Sequence, residues 1–111
     1  MIRDKEKALY KAALITFGDK NQLTVATEEL SELQQQICKV VRGAMDRKHL
    51  IEEMADVCIC IEQVMQILNI SRSDLQVAKN RKQKRLVKII AEAQSIGVEE
   101  AMEWINFIGS E

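Results

Sequence analysis

Ala26-Thr27-Glu28-Glu29-Leu30-Ser31-Glu32-Leu33-Gln34-Gln35-Gln36-Ile37-Cys38-Lys39-Val40 is the stretch on which the reading of this chain turns. Ala26, Leu30, Leu33, Ile37 and Val40 recur at spacings of four, three, four and three. That period is helical, and it predicts an apolar stripe directed at a core. At about 100° per residue, Glu29 and Glu32 fall on the shoulder of the stripe, with Val25 and Gln36 beside them. Glu28 points away to solvent. Two carboxylates three residues apart on one helix shoulder repel each other, so the pair asks for a reason.

The pattern returns downstream as Glu52-Glu53-Met54-Ala55-Asp56. Here Met54, Cys58, Ile61, Met65 and Leu68 form the main stripe. Glu53 and Asp56 lie on a second face continued by Val57, Cys60, Val64 and Ile67. Glu52 falls away from both. Helix phase therefore selects Glu29, Glu32, Glu53 and Asp56 from six acidic candidates. Four converging carboxylates become stable when a hard divalent cation lies among them, which predicts a Mg²⁺ site, with Mn²⁺ as a substitute. A helix that is apolar on two faces needs neighbours on both, which predicts a homodimer, or a dimer of dimers, sharing its core.

Working outward, glycines at 18, 43 and 97 punctuate the periodic segments, and the 111-residue chain has no proline. The fold class is all-α. The expected helices run from Ile2 to Phe17, Asp19 (as N-cap) to about Arg42, about His49 to Leu68, near Arg72 to Gln94, and Val98 to Ile108. Four main helices and a short C-terminal one form a bundle completed by dimerisation. Asn69 and Ser71 supply the turn and cap before the fourth helix, and Gly97 breaks the chain before the fifth.

Composition narrows the function. The net charge of −1 excludes a polycation built for nucleic acid. Its distribution is uneven, with acids between Glu28 and Glu62 and a basic run of Arg72, Lys79, Arg81, Lys82, Lys84, Arg85 and Lys88. An acidic centre with a basic arm suits a metal–phosphate ligand. No segment has the uninterrupted apolar length of a membrane span, and Met1 opens onto a charged amphipathic stretch unlike a signal peptide. Cys38, Cys58 and Cys60 are an odd set within apolar stretches and read as free thiols. The expectation is a soluble, cytoplasmic protein.

Taken together, Glu28-Glu29-x-x-Glu32 and Glu52-Glu53-x-x-Asp56 on consecutive helices resemble the MazG family of all-α nucleotide pyrophosphohydrolases. The lead-in Phe17-Gly18, Gln22-Leu23 and Thr27 is similar to the family's own, and Asn80-Arg81-Lys82-Gln83-Lys84-Arg85 is similar to its Asn-x-Lys-x-x-Arg run. The resemblance covers about residues 5–88, which gives a MazG-like domain at 1–88 and a helical extension at 89–111. It implies Mg²⁺-dependent cleavage of a nucleoside triphosphate to a monophosphate and pyrophosphate, serving to cleanse the nucleotide pool. It implies metal ligation by Glu29, Glu32, Glu53 and Asp56, and phosphate contacts from Asn80, Lys82 and Arg85. Gln83 and Leu86 depart from the family, which often carries aromatic residues at those positions. Glu32 is the expected general base, because it lies farthest from the stripe on its helix.

Blander readings stand beside these. Each acidic pair alone is an ordinary solvated face, and the basic run alone is a solvated helix side. His49 reads as a cap or surface residue. Cys58-x-Cys60 is no zinc motif, because its side chains leave on different faces. Met45, Met54, Met65, Met102, Tyr10, Phe17 and Trp104 read as packing residues. The competing functions are a noncatalytic helical dimerisation or regulatory module and, more distantly, a small nucleic-acid-binding dimer.

Overall fold

The computed structural model describes residues 2–110, with side chains from residue 4. Among the described residues the chain is entirely helical, with no strand. Five helices follow one another: α1 (Ile2–Phe17), α2 (Asp19–Val41), α3 (Arg47–Leu68), α4 (Arg72–Ala93) and α5 (Val98–Gly109). No single one is long and apolar enough to cross a membrane.

The helix ends follow from local chemistry. Gly18 has φ 88° and ψ 150°, a backbone region closed to residues with a Cβ, and it joins α1 to α2. It is itself the N-cap of α2, so Asp19, expected in that role, is instead the first helical residue. Its charge there complements the positive end of the helix dipole. At the far end Gly43 takes φ 76°, Gly43 N–H donates to the Val40 carbonyl, and Ala44 N–H donates to that of Lys39. This paired closure is what a left-handed glycine after a helix provides.

Helix α3 begins two residues before the expected His49, because Asp46 caps it by accepting from His49 N–H at 3.1 Å. The same carboxylate meets His49 Nδ1 at 2.8 Å. Those bonds, the backbone one foremost, hold Asp46 below the usual carboxylate range. His49 thus has a local role at an exposed helix start. Asn69 ends α3 in the left-handed conformation, at φ 55°.

Ser71 and Asp74 form a reciprocal cap on α4. Ser71 Oγ accepts from Asp74 N–H at 3.0 Å, and Asp74 Oδ2 accepts from Ser71 N–H at 3.1 Å. Ser71→Ala is expected to destabilise the protein by about 1 kcal/mol; a denaturant midpoint unchanged from wild type would remove the cap from the account. Gly97 has ordinary backbone angles as the N-cap of α5, and Ser95, at φ 57°, makes the left-handed turn in its place.

The chain divides into two compact units, Met1–Ile70 and Ser71–Glu111. The division falls between α3 and α4, while residue 88 lies inside α4. In the first unit α2 and α3 form the main pair, and α1 packs on both. Leu14, Ala26, Val57, Cys60 and Met65 are buried, as are Gln22 and Gln63, and Gln66 Nε2 donates to the Lys7 carbonyl. In the second unit α4 and α5 pack together, with Ala91 and Ala101 buried.

The faces match the expected ones in part: Ala26, Leu33, Met65 and the second face of α3 with Val57, Cys60, Val64 and Ile67 are buried or half-buried, and the rest of the two main stripes is not. On α2 the side toward α3 is the shoulder with Val25, Ala26, Glu29, Leu33 and Gln36, while Leu30, Ile37 and Val40 of the expected core stripe are exposed. On α3 the face with Glu53, Val57, Cys60 and Val64 is inward, and Met54, Cys58, Ile61 and Leu68 are exposed. The seam follows the polar shoulders, and the more apolar stripes flank it. Met45, Met102, Phe17 and Trp104, read as packing residues, are also exposed. Met65 is buried and Tyr10 half-buried, as packing residues should be.

Candidate metal centre

The five-residue connection Arg42–Asp46 turns α3 back along α2, as short links between helices do. Antiparallel pairing then sets Glu29, midway along α2, opposite the first turns of α3. Glu29, Glu53 and Asp56 each place an oxygen so that the three lie within 4.8 Å of one another. Glu29 and Glu53 are half-buried and Asp56 is exposed, so the cluster is set into the seam and open on one side.

Its electrostatics are those of crowded acids. Burial pushes the Glu29 carboxyl up to about 7, aided by its hydrogen bond to Glu53 and by the charges of Asp56, Glu32 and Glu53. Burial likewise raises Glu53, with Glu32 and Asp56 contributing, while its bond to Glu29 pulls the other way. A proton shared between Glu29 and Glu53 is the physical consequence, since neighbouring carboxylates do not ionise freely together.

The expected ligands are thus brought together in part. Glu29, Glu53 and Asp56 form the tight group. Glu32 is exposed one turn along α2, close enough to Glu53 to help raise its carboxyl. Glu28 and Glu52 are exposed, as helix phase predicts. Asn80, Lys82 and Arg85 lie on α4 in the second unit, all exposed. At about 100° per residue Lys82 and Arg85 share one side of α4, while Asn80 faces away from Lys82. Asn80 Oδ1 accepts from Gln76 Nε2 at 2.8 Å.

The donor set fits a divalent cation on two counts. Three carboxylates supply hard oxygen ligands at converging positions. The Oε2 atoms of Glu29 and Glu53 are buried without a hydrogen-bond partner, which is costly for acceptors that nothing coordinates. Gln36 Oε1 is a third such atom, on the same helix side as Glu29. Sequence reasoning placed Gln36 on that shoulder without giving it a role. It also read Cys60 only as packing. Cys60 is buried close enough to Glu29 and Asp56 for their charges to add to burial in raising its thiol.

The fold and site define a class, an all-helical chain with carboxylates clustered between two antiparallel helices. No protein-family model matches the chain, and no curated protein or solved structure is significantly similar to it.

Proposed function

We infer that this protein is a Mg²⁺-dependent nucleoside triphosphate pyrophosphohydrolase of the MazG type, acting as a homodimer, that releases pyrophosphate and leaves a nucleoside monophosphate. One observation carries the reading: Glu29, Glu53 and Asp56 converge within 4.8 Å, and two of them hold a buried oxygen with no hydrogen-bond partner. Supporting it are the resemblance of the paired acidic motifs and of the Asn80–Arg85 run to that family. The many exposed large apolar side chains support the homodimer.

Glu29, Glu53 and Asp56 would hold the metal. A bound divalent ion there supplies charge neutralisation for a triphosphate and lowers the pKa of a coordinated water. Glu32, exposed and outside the tight group of three, is the carboxylate left available to take a proton from the attacking water. Lys82 and Arg85, on one side of α4, offer positive charge to phosphate oxygens.

The test is pyrophosphate release from a panel of canonical and modified dNTPs and NTPs, with Mg²⁺ and with EDTA. Metal-dependent release from any member is the expected result, and none at high enzyme concentration would remove the hydrolytic reading. Lys82→Ala is expected to raise KM for the best substrate about tenfold, the size of one lost charge-assisted contact, with kcat less affected. An unchanged KM would return Lys82 to an ordinary solvated helix side.

A further inference from the structure

Among the described residues, three side-chain oxygens are buried with no hydrogen-bond partner, and the acidic centre accounts for two of them. Oε2 of Glu29 and Oε2 of Glu53 belong to carboxylates that converge with Asp56. The third, Oε1 of Gln36, belongs to a neutral amide that the centre as described gives no task. An acceptor left in that state is costly, and an alkyl side chain at the same position would avoid the cost. Gln34 and Gln35, the neighbouring amides, are exposed and incur none of it.

Helix phase fixes where the oxygen lies. Gln36 follows Glu29 by seven residues and points within about 20° of the same direction. It follows Glu32 by four residues, which makes the two neighbours on the helix surface. Glu53 is close to both Glu29 and Glu32, so the centre extends along α2 toward Gln36. Side chains on a helix lean toward its N-terminus, which carries the Gln36 amide back over the turn of Glu32 and Leu33. The half-buried Leu33 side chain has no polar atom to offer it. Two turns separate Gln36 from Glu29, about 10 Å of rise, so the two do not ligate one ion side by side.

The missing partner is therefore a donor that arrives with what the centre binds. A divalent ion held by three carboxylates keeps part of its water, Mg²⁺ above all, because it dehydrates reluctantly. Each retained water has two hydrogens to donate. An amide oxygen accepts one of them without adding another negative charge to a crowded site.

We propose that Gln36 is an outer-shell positioning residue of the acidic centre, its Oε1 accepting a hydrogen bond from water that a divalent cation retains at Glu29, Glu53 and Asp56. This rests on the metal-binding part of the reading above and not on the hydrolytic part. Gln36 holds the hydrated ion in place and is not itself a ligand.

The experiment is Mn²⁺ binding, followed by electron paramagnetic resonance, and thermal unfolding in EDTA, on the full chain. The proteins are wild type, Gln36→Met, Gln36→Leu, Gln36→Glu and Gln35→Leu. Gln36→Met keeps the length of the side chain and removes its oxygen. It is expected to raise the Mn²⁺ dissociation constant about 10-fold or more, as losing an outer-shell partner does. Its Tm in EDTA should hold or rise, because an unpaired acceptor has gone. Gln36→Leu repeats the test with a second shape, and Gln36→Glu, which keeps an acceptor, should bind Mn²⁺ at least as tightly as wild type. Gln35→Leu should change neither readout. Mn²⁺ bound equally tightly by wild type and Gln36→Met would overturn the proposal and leave the metal centre standing. Loss of folding in both Gln36→Met and Gln36→Leu would also overturn it, since the amide would then be held by the protein itself. A wild type that binds no Mn²⁺ would remove the centre and the proposal together. Absence of hydrolysis would leave all of these readouts standing.

Discussion

Glu53→Gln is expected to lower Mg²⁺-dependent turnover by about 100-fold or more while leaving the helices in place. Gln preserves the shape of the side chain and one acceptor oxygen, so the seam between α2 and α3 can still close. What it removes is the negative charge that draws a cation to the group with Glu29 and Asp56. Burial and the neighbouring acids Glu32 and Asp56 already hold Glu53 above the usual carboxylate range. Neutralising it should therefore leave the metal-free fold as stable as wild type or more so. Falling activity with level or rising stability is the signature of a group kept for function at a cost in repulsion. A solvated helix face predicts that neither quantity moves. Full retained turnover, measured as pyrophosphate release at saturating Mg²⁺, would take Glu53 out of the site.

Much of the fold was legible in the sequence because helix ends are written locally. Gly43 and Ser71 each stop or start a helix through a bond to a neighbour three residues away, whereas Asp46, which starts α3 by accepting from His49 N–H, went unread in what looked like a polar connection. The faces were harder to read. Hydrophobic periodicity finds the apolar side of a helix, not what that side touches, and it assigned Leu30 and Ile37 to a core within the chain. The shoulders packed instead, carrying Glu29 and Gln36 inward on α2 and Glu53 and Cys60 inward on α3. The paired acids remained visible because phase put each pair on one shoulder of its helix, and those shoulders are the seam. Gln36 and Cys60 gave no comparable signal, since an amide or a thiol suits both surface and interior. Ser95 was missed at its turn because left-handed backbone is ordinarily a glycine's place and Gly97 stood two residues away.

Metal-free protein is expected to lose thermal stability as pH rises from about 4.5 to about 7, and Mg²⁺ is expected to reverse that trend. Glu29 is raised to about 7 in the fold from an ordinary 4.5, so between those values the folded chain holds a proton that the unfolded chain has released. Stability falls with pH wherever the folded state binds more protons. The contribution is full below the ordinary carboxylate value and lost as pH passes 7. Metal-free Tm should accordingly drop by several degrees across that window. Glu29→Gln, which cannot ionise, should flatten the drop. Mg²⁺ binds the deprotonated carboxylates, so its stabilisation grows over the same window. At about 100 times its dissociation constant the ion adds about 2.7 kcal/mol, roughly 10 °C for a chain of this size. In Glu29→Gln that gain should largely vanish. Differential scanning fluorimetry from acid to mild alkali, with Mg²⁺ and with EDTA, measures all of this. A Tm that is flat or rising with pH in EDTA, together with no response to Mg²⁺, would show that Glu29 is neither buried among acids nor a ligand. A falling Tm without a Mg²⁺ response would separate the two, keeping the crowded carboxylates and removing the cation.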